Sequence, residues 1–526
     1  MSTQVEQTLR AAFETALEKY ADRDAVTMGE QTLTYRELDR RANAVAHGLV
    51  ERGVEPEDRV ALMLSNRLEF VIADLALIKS GATRLPLNDM LTAEEFQYML
   101  DDSRAGTVIA GPEFVDTITD LSPELPHVET IIGVSDSDPL PDGIETFEIL
   151  DGAVDDPPDC DVAAGDVQGH YYTGGTTGDP KGVLQTHESM TLNQYAHIVE
   201  LGVSGDETML LMTPLPHSAG LFLWSALLTG AHAVIHPGFD PAGALNAIEE
   251  HDVTWTFMVP TMIYRLLDHE LLAETDTSSL STLIYGAAPM TPARLEEGID
   301  AFGSIFVQFY GQTEVPNLIT TLGKQEHVNA VGSASGGRLS SAGTPCLMSK
   351  VEIVDIETGE QLPPGEEGEI IAKAPYAMSE YFERPEKTAE TVTDGWVHTG
   401  DVGRRDEDGY VYLLDRESDV IITGGMNVYS TEVEESIDDH PDVAEVAVIG
   451  VPDDEWGEAV HAVVVADDRG ALSAENVIAI ADEQLADYKT PKSVEFVSEI
   501  PKTPYGKHDK VALRDRHWAD EDRNVA

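Results

Sequence analysis

Residues 172 to 183 read YTGGTTGDPKGV. Gly174, Gly175, Gly178 and Gly182 surround Thr173, Thr176 and Thr177, and Lys181 stands near the end of the run. Glycines let a backbone turn its N–H groups toward one point, because no Cβ stands in the way. The threonine hydroxyls add donors and the lysine adds charge, so the chemistry is that of a polyphosphate cradle. It is not a Walker loop, which needs Gly before the lysine and Ser or Thr after it. Here Pro180 precedes Lys181 and Gly182 follows. A glycine-rich surface hairpin is the plainer alternative, and the flanks argue against it.

Those flanks belong to a βαβ rhythm. Thr34 suits the N-cap of a helix carrying Leu38, Val45 and Leu49 inward and ended by Gly53. Strand DRVALML (58–64), a helix over Phe70–Lys79 stopped by Gly81, a helix from Thr92 and strand TVIA (107–110) follow. Residues 134–166, rich in Asp and Pro, read as surface loops. The strand QGHYY (168–172) then delivers the chain into the glycine loop. Four more strands run into polar or glycine-bearing segments: MLLMT into PLPHSAG (214–220), VTWTFMV into Pro260, TLIY into GAAP (286–289), and IFVQFY into GQTE (311–314). In doubly wound parallel sheets ligands collect at the carboxyl ends of strands. The expectation is α/β: a large N-terminal domain of doubly wound sheets plus a β-rich subdomain from about 347, then a small α+β domain. The domain limits are set at 8–415, a hinge at 416–419, and 420–526.

Length supports more than one domain. No apolar window reaches the roughly 18 residues of a membrane span, and the first residues lack the apolar core of a signal peptide, so a cytoplasmic location is expected. Cys160 and Cys346 are too few for a disulfide framework and lack metal-ligand spacing. The charge stands out: 96 Asp and Glu against 33 Lys and Arg, net −63, spread along the chain. Such a surface repels itself in dilute buffer, and about 1 M salt shortens the screening length to roughly 3 Å. A salt-filled cytoplasm is the expected setting. The same charge excludes nucleic-acid binding, which needs a basic footprint. Lys489, Lys492, Lys502, Lys507 and Lys510 cluster near the carboxyl end.

Five segments in order, YTGGTTGDPKGV, YGQTE, WVHTGD, DRESDVIITGGMNVY and PKTPYGK, resemble the signature series of the adenylate-forming superfamily. That superfamily holds acyl-CoA synthetases, peptide-synthetase adenylation domains and luciferases. The resemblance implies two half-reactions. A carboxylate attacks the α-phosphate of ATP to give an acyl-adenylate and pyrophosphate, and a thiol, usually of coenzyme A, then displaces AMP. Positive charge must surround the triphosphate, because two anions have to meet.

By the resemblance, Lys181 with Thr173, Gly174, Gly175, Thr176, Thr177 and Gly178 would hold the β- and γ-phosphates. Thr313 would contact the α-phosphate, and Glu314 would position Mg²⁺. Gly286, Ala287, Ala288 and Pro289 would line the adenine, with Tyr310, Gly311 and Gln312 beside it. Asp401 would accept from the ribose hydroxyls with Arg416 as second partner. Lys507 would bridge carboxylate and α-phosphate as the catalytic lysine. The small domain would then swing about Ser418 and present Gly424 and Gly425 to the pantetheine arm, with the terminal lysines attracting coenzyme A. Three positions depart from the family pattern. Gly174 stands for a common serine, Ser418 for Asp or Lys, and Ser430 for a proline, which is expected to loosen its loop.

The acyl pocket would be walled by His217, Leu221, Val259, Gly286, Gly311 and Val315, with no carboxylate or fixed cation to meet a charged acyl group. Gly286 and Gly311 leave room, so a medium- or long-chain fatty acid is the first expectation and an aryl acid the second. An amino-acid adenylation enzyme, a luciferase-type oxygenase and a non-catalytic binding protein are the other readings. Partners are the acid, ATP and coenzyme A. Oligomeric state is open, with a homodimer compatible.

Overall fold

The computed structural model describes residues 8–518, apart from 137–138, 151, 174–179, 289, 332–336, 425, 439, 441, 454–455, 467–471 and 504–506, and apart from the side chain of residue 149. The chain divides into two compact units. Within the described residues, the first is built from 8–173, 180–350 and 372–397, the second from 351–371 and 398–518.

The first unit holds two sheets of mainly parallel strands. At the centre of one, His232–Ile235, Thr208–Leu211, Trp255–Met258, Thr282–Tyr285 and Phe306–Tyr310 lie side by side, all parallel. Short apolar runs such as WTFM and TLIY suit such strands because both faces are covered, and both runs are buried throughout. Helix Gly220–Thr229 covers one face, where Phe222 meets the rings of Trp255, Phe257 and Phe309. Helices Pro241–Glu250 and Pro260–Leu267 cover the other through Leu245, Ile248, Ile263 and Leu266. Because the strands are parallel, the segments after Leu211, Met258, Tyr285 and Tyr310 all leave the same edge.

The second sheet runs Thr130–Gly133, Thr107–Ala110, Arg59–Met63, Thr83–Pro86 and Val167–Tyr172, again parallel. Val167–Tyr172 then turns back as the antiparallel strand Gly182–Thr186. The short strand Glu380–Tyr381 adds to that edge, with Tyr381 opposite Val183. Helix Tyr35–Glu51 starts at Thr34 with a reciprocal cap from Glu37, as its sequence signals. Helix Leu68–Ser80 ends at Gly81, whose φ of 76° needs glycine. That helix is buried almost all round and carries Asp74, whose carboxylate pairs with Arg84 (2.5 Å) and accepts from Trp224 Nε1 (2.7 Å).

In the second unit, the Asp401–Arg405 part of strand Trp396–Arg405 pairs antiparallel with Val411–Arg416. A further sheet is built on the long ribbon of Val443–Asp453 and Gly457–Ala466, with Ser493–Phe496 parallel beside it. Helices Ser430–Asp438 and Ala474–Gln484 close its core through Val433, Ile437, Val477 and Ala481. The mix of parallel-sheet α/β and small α+β elements matches the expected fold class. Several elements, among them helix His187–Glu200, are absent from the sequence reading, and two differences are informative. The stretch 134–166 contains the short strand Glu145–Thr146 and a turn of 3-10 helix at Phe147–Ile149. The helix Gly220–Thr229 is absent from it, because a segment apolar on every side has no helical stripe to read. Among the described residues, no helix is long and apolar enough to cross a membrane.

Candidate active site

In the first unit the hairpin pinches the ends of the glycine loop together. Thr173 N–H donates to Lys181 O (3.0 Å), and Lys181 N–H to Thr173 Oγ1 (3.2 Å). Gly174, Gly175, Thr176, Thr177 and Gly178 lie outside the described residues, as does Pro289. Gly182 is not a loop-loosening glycine. It belongs to the strand Gly182–Thr186, where a Cβ would meet His170 Nε2 at 1.8 Å. His170 is itself buried and stacked on Tyr172, and burial pushes it down to about 3, so it stays neutral.

Lys181 Nζ lies 4.9 Å from the centre of the Tyr381 ring, within range of cation–π attraction. The Tyr381 hydroxyl donates to Glu314 Oε1 at 2.5 Å, and Glu314 is 7% exposed. Its backbone carbonyl accepts from Met378 N–H (2.7 Å). One tyrosine thus stands between the cation and the carboxylate. Burial, and then the Glu314 charge, raise the Tyr381 hydroxyl far above the ordinary phenol range, so it remains a donor. Nothing in its local sequence marks Tyr381; it arrives because Glu380–Tyr381 pairs with the strand that follows Lys181.

Tyr310 is buried at the end of its strand, Gln312 and Thr313 are half-buried, and Val315 is fully buried. Ala287 holds a φ of 66°, a conformation that disfavours a side chain, and both it and Ala288 are exposed. The two pocket glycines have a different reason from the one expected. A Cβ on Gly286 would meet Phe309 O at 2.6 Å, and one on Gly311 would meet the Asn317 backbone at 2.4 Å. They permit backbone to pack on backbone, so their missing side chains are not spare room for an acyl group.

PLPHSAG forms a single wide turn, Leu215–Ala219, in which His217 leaves helical geometry and is exposed. Leu221 is buried and Val259 half-buried. A buried polar chain holds this turn. Ser218 Oγ lies 3.2 Å from His217 Nδ1 and donates to Asn317 Oδ1 (3.1 Å). Asn317 Nδ2 then donates to His197 Nε2 (3.0 Å), and His197 Nδ1 donates to Asn193 O (2.8 Å). Burial pushes His197 down to about 4, which makes it neutral and fits one donor and one acceptor nitrogen. Asn66 clamps the same turn, donating to Thr213 O and His236 O and accepting from Leu215 N–H. Ser218 lies within the PLPHSAG segment, whereas Asn66, Asn193 and Asn317 carry no motif that sequence reasoning could have found.

In the second unit Asp401 and Arg416 are cross-strand partners, with Arg416 Nε 2.8 Å from Asp401 Oδ1. Asp401 is 6% exposed. Gly400 takes a φ of 66° and donates to Glu369 Oε1 (3.1 Å), and Thr399 Oγ1 accepts from Asp401 N–H (3.1 Å). Lys507 backbone is tied to Thr503 by two hydrogen bonds. Its side chain keeps exposed surface, yet surrounding protein pushes its ammonium down to about 8; burial is the larger cause, then repulsion from Arg416, with Asp401 opposing. Asp401 and Arg416 are thus in direct contact across two strands, and the Lys507 ammonium feels the charge of both.

Gly424 has a φ of 58°, and a Cβ there would meet the Trp456 indole at 2.6 Å; Gly425 lies outside the described residues. Two expectations are corrected here. Ser430 tightens its loop instead of loosening it. Its N–H (2.5 Å) and hydroxyl (2.8 Å) both donate to Asp415 Oδ2, the first of which a proline could not do. The terminal lysines are engaged: Lys489 with Glu432, Lys502 with Glu445, Lys510 with Glu434, and Lys492 with the Asp487 carbonyl. Ser418 is half-buried beside Asp419, which Arg514 holds (2.5 Å).

Residues 13–382 match the family model of the AMP-binding enzyme, and 432–507 match the AMP-binding enzyme C-terminal domain. A feruloyl-CoA synthase from Amycolatopsis sp is 39% identical over 494 residues, covering 94% of this chain and 95% of that one. A medium/long-chain-fatty-acid–CoA ligase from Mycobacterium tuberculosis is 35% identical over 525 residues, covering 97% and 90%. The crystal structure of ATP-bound MatB from Rhodopseudomonas palustris superposes with a TM-score of 0.86 at 32% identity, covering 98% of this chain and 99% of that one.

Proposed function

The chain belongs to the AMP-binding enzyme family, and from that premise we propose how its two charged groups divide the work of an AMP-forming acid–CoA ligase. The observation that carries the reading is Tyr381 standing between Lys181 and Glu314. An anion-binding and a cation-binding group are held side by side, as a metal-bound triphosphate requires. Glu314 fits one Mg²⁺: it is an oxygen ligand whose one neutral partner leaves its charge intact, and magnesium is commonly held by one or two carboxylates plus substrate phosphates. When bound, the ion would neutralise charge on the phosphates.

Lys181 and the loop donors hold the β- and γ-phosphates, and Thr313 reaches the α-phosphate. Asp401, with Arg416, accepts from the ribose hydroxyls. Lys507 supplies positive charge as the substrate carboxylate oxygen bonds to the α-phosphorus and the bond to pyrophosphate breaks. In the second half-reaction the coenzyme A sulfur bonds to the acyl carbon and AMP departs. The reading keeps 8–415 as the adenylating domain, 416–419 with Ser418 as its hinge, and 420–526 as the small domain.

For the acid we propose a neutral aryl acid of the feruloyl kind. Leu221, Val259 and Val315 offer apolar walls, the feruloyl-CoA synthase supports an aryl group, and the glycines no longer argue for a long chain. A medium- or long-chain fatty acid is the second reading, favoured by the mycobacterial relative. Pyrophosphate exchange in concentrated KCl with ferulate, benzoate, octanoate, palmitate and an amino acid tests this. The highest kcat/KM is expected with ferulate or benzoate. Preference for palmitate selects the second reading, and preference for the amino acid overturns both.

A further inference from the structure

Three residues far apart in the sequence meet on the second unit. His461 lies on the strand Gly457–Ala466, Glu495 on the parallel strand Ser493–Phe496, and His517 just after helix Lys510–Asp515. Glu495 Oε2 is 3.8 Å from His461 Nε2 and 3.9 Å from His517 Nε2, and the three atoms all lie within 4.8 Å of one another. The two imidazole rings are 4.9 Å apart. From this geometry we propose a transition-metal site with His461 Nε2, Glu495 and His517 as ligands and Zn²⁺ as the fitting ion.

The strongest sign is at His461. The residue is 6% exposed, and its Nε2 has no hydrogen-bond partner. Leaving a buried polar nitrogen unsatisfied costs on the order of 1–3 kcal/mol, so a ligand for it is expected. Its other nitrogen, Nδ1, lies 2.7 Å from Ser493 Oγ. With that nitrogen donating to the hydroxyl, the Nε2 lone pair faces Glu495 and His517. Metal-binding histidines are commonly oriented by such a tie on the second nitrogen.

The spacing suits an ion as well. Zinc binds imidazole nitrogen at about 2.0–2.1 Å and carboxylate oxygen at about 2.0–2.2 Å, which sets tetrahedral ligand atoms roughly 3.4 Å apart. The two separations from Glu495 need about half an ångström of closure, and the two imidazole nitrogens, within 4.8 Å of each other, at most about 1.4 Å; the separations from Glu495 are too long for hydrogen bonds. Two imidazoles and one carboxylate favour Zn²⁺ and its neighbours over K⁺, Mg²⁺ or Ca²⁺, which take oxygen. The side chains of Glu495 and His517 are 43% and 32% exposed, so an ion can enter and a fourth position can stay open to water. His517 precedes Trp518, whose Nε1 donates to Gly450 O (3.0 Å). A bound ion would therefore fasten the carboxyl-terminal turn to the strands, as a staple separate from the ligase chemistry.

The test is calorimetric titration of the chelator-treated, full-length protein with ZnCl₂ alone, in concentrated KCl with excess Mg²⁺ to occupy oxygen-only sites. One equivalent should bind with micromolar or tighter affinity and raise the melting temperature. H517Q changes a part-exposed residue and should remove that stoichiometric step while keeping the circular dichroism of the parent. S493A should weaken binding by about 10–100-fold, the usual cost of losing an orienting partner. Two results overturn the proposal: no stoichiometric step in the parent protein, or a step of undiminished affinity in H517Q.

Discussion

Glu314 in the first unit and Asp401 in the second are carboxylates buried to nearly the same degree, 7% and 6% exposed, yet their partners differ. Glu314 accepts from the neutral hydroxyl of Tyr381, whereas Asp401 is paired with the Arg416 guanidinium. A phenol holds a carboxylate in place and leaves its charge available, which suits a cation. A guanidinium compensates the charge and leaves a hydrogen-bond acceptor, which suits neutral ribose hydroxyls. On the proposed reading the same side-chain chemistry serves two tasks, set by the charge of its neighbour. The two cations differ likewise. Lys181 follows directly from a strand hairpin, while Lys507 stands on a segment near the carboxyl end and is held below its ordinary range by its surroundings.

The largest expected effect comes from removing the second unit's cation. Lys507→Ala should slow adenylation by roughly 10²–10³, the cost of losing one preorganised charge. Thioester formation from a supplied acyl-adenylate should be nearly intact; pyrophosphate exchange and single-turnover transfer measure the two. Equal damage to both half-reactions would show that Lys507 serves no particular step.

Tyr381→Phe tests the other side. Losing a hydrogen bond to a charged group costs about 1.5–3 kcal/mol, or roughly one to two orders of magnitude in adenylation. The Mg²⁺ concentration needed for half-maximal rate should rise, while KM for the acid changes little. An unchanged Mg²⁺ dependence would mean that Tyr381 does not prepare Glu314 for a cation.

The pH dependence should follow Lys507. Its folded value of about 8 lies below the ordinary lysine range, so the charged form prevails below pH 8 and is lost above it. Adenylation should fall about tenfold per pH unit on that limb. Arg416→Gln removes the repelling charge and should move the limb upward, and Asp401→Asn should move it downward. A limb that ignores both variants separates Lys507 from the pair.

Salt gives the smallest effect. The Arg416 side chain is 44% exposed, and pairs of this kind contribute about 0–1 kcal/mol, screened as salt rises. The cost of Arg416→Ala on KM for ATP should shrink between the lowest KCl that keeps the protein folded and molar KCl. The cost of Tyr381→Phe should not. Over the same range we expect the melting midpoint of the parent protein to climb, given its net charge of −63. A flat midpoint would remove the salt-adaptation reading.

Local signals were readable wherever their cause lies within a few residues. Thr34 and Glu37 cap a helix across a single turn, Gly81 ends another through its positive φ, and the run TLIY is a buried parallel strand. The glycine loop and the motif order likewise marked the chemistry, and parallel strands explain why four loops leave one sheet edge. Other readings failed because a residue's purpose depended on a distant neighbour. Gly286 and Gly311 looked like room, but their missing Cβ atoms make way for Phe309 and Asn317. Ser430 looked like a weak proline substitute, until Asp415 met its N–H and hydroxyl.

The sequence by itself determined many of the element types, the parallel-sheet class, the acidic composition and the membership of the AMP-binding enzyme family. Only the tertiary structure decided that Tyr381 stands between Lys181 and Glu314, that Asn317 reaches both Ser218 and His197, and that His461, Glu495 and His517 meet. The reason is the range of the forces involved. Caps, turns and strand periodicity act through backbone geometry over a few residues, so the chain carries them in its order. A hydrogen bond between residues 314 and 381 depends on which strands pair, and that is settled by burying the whole core at once.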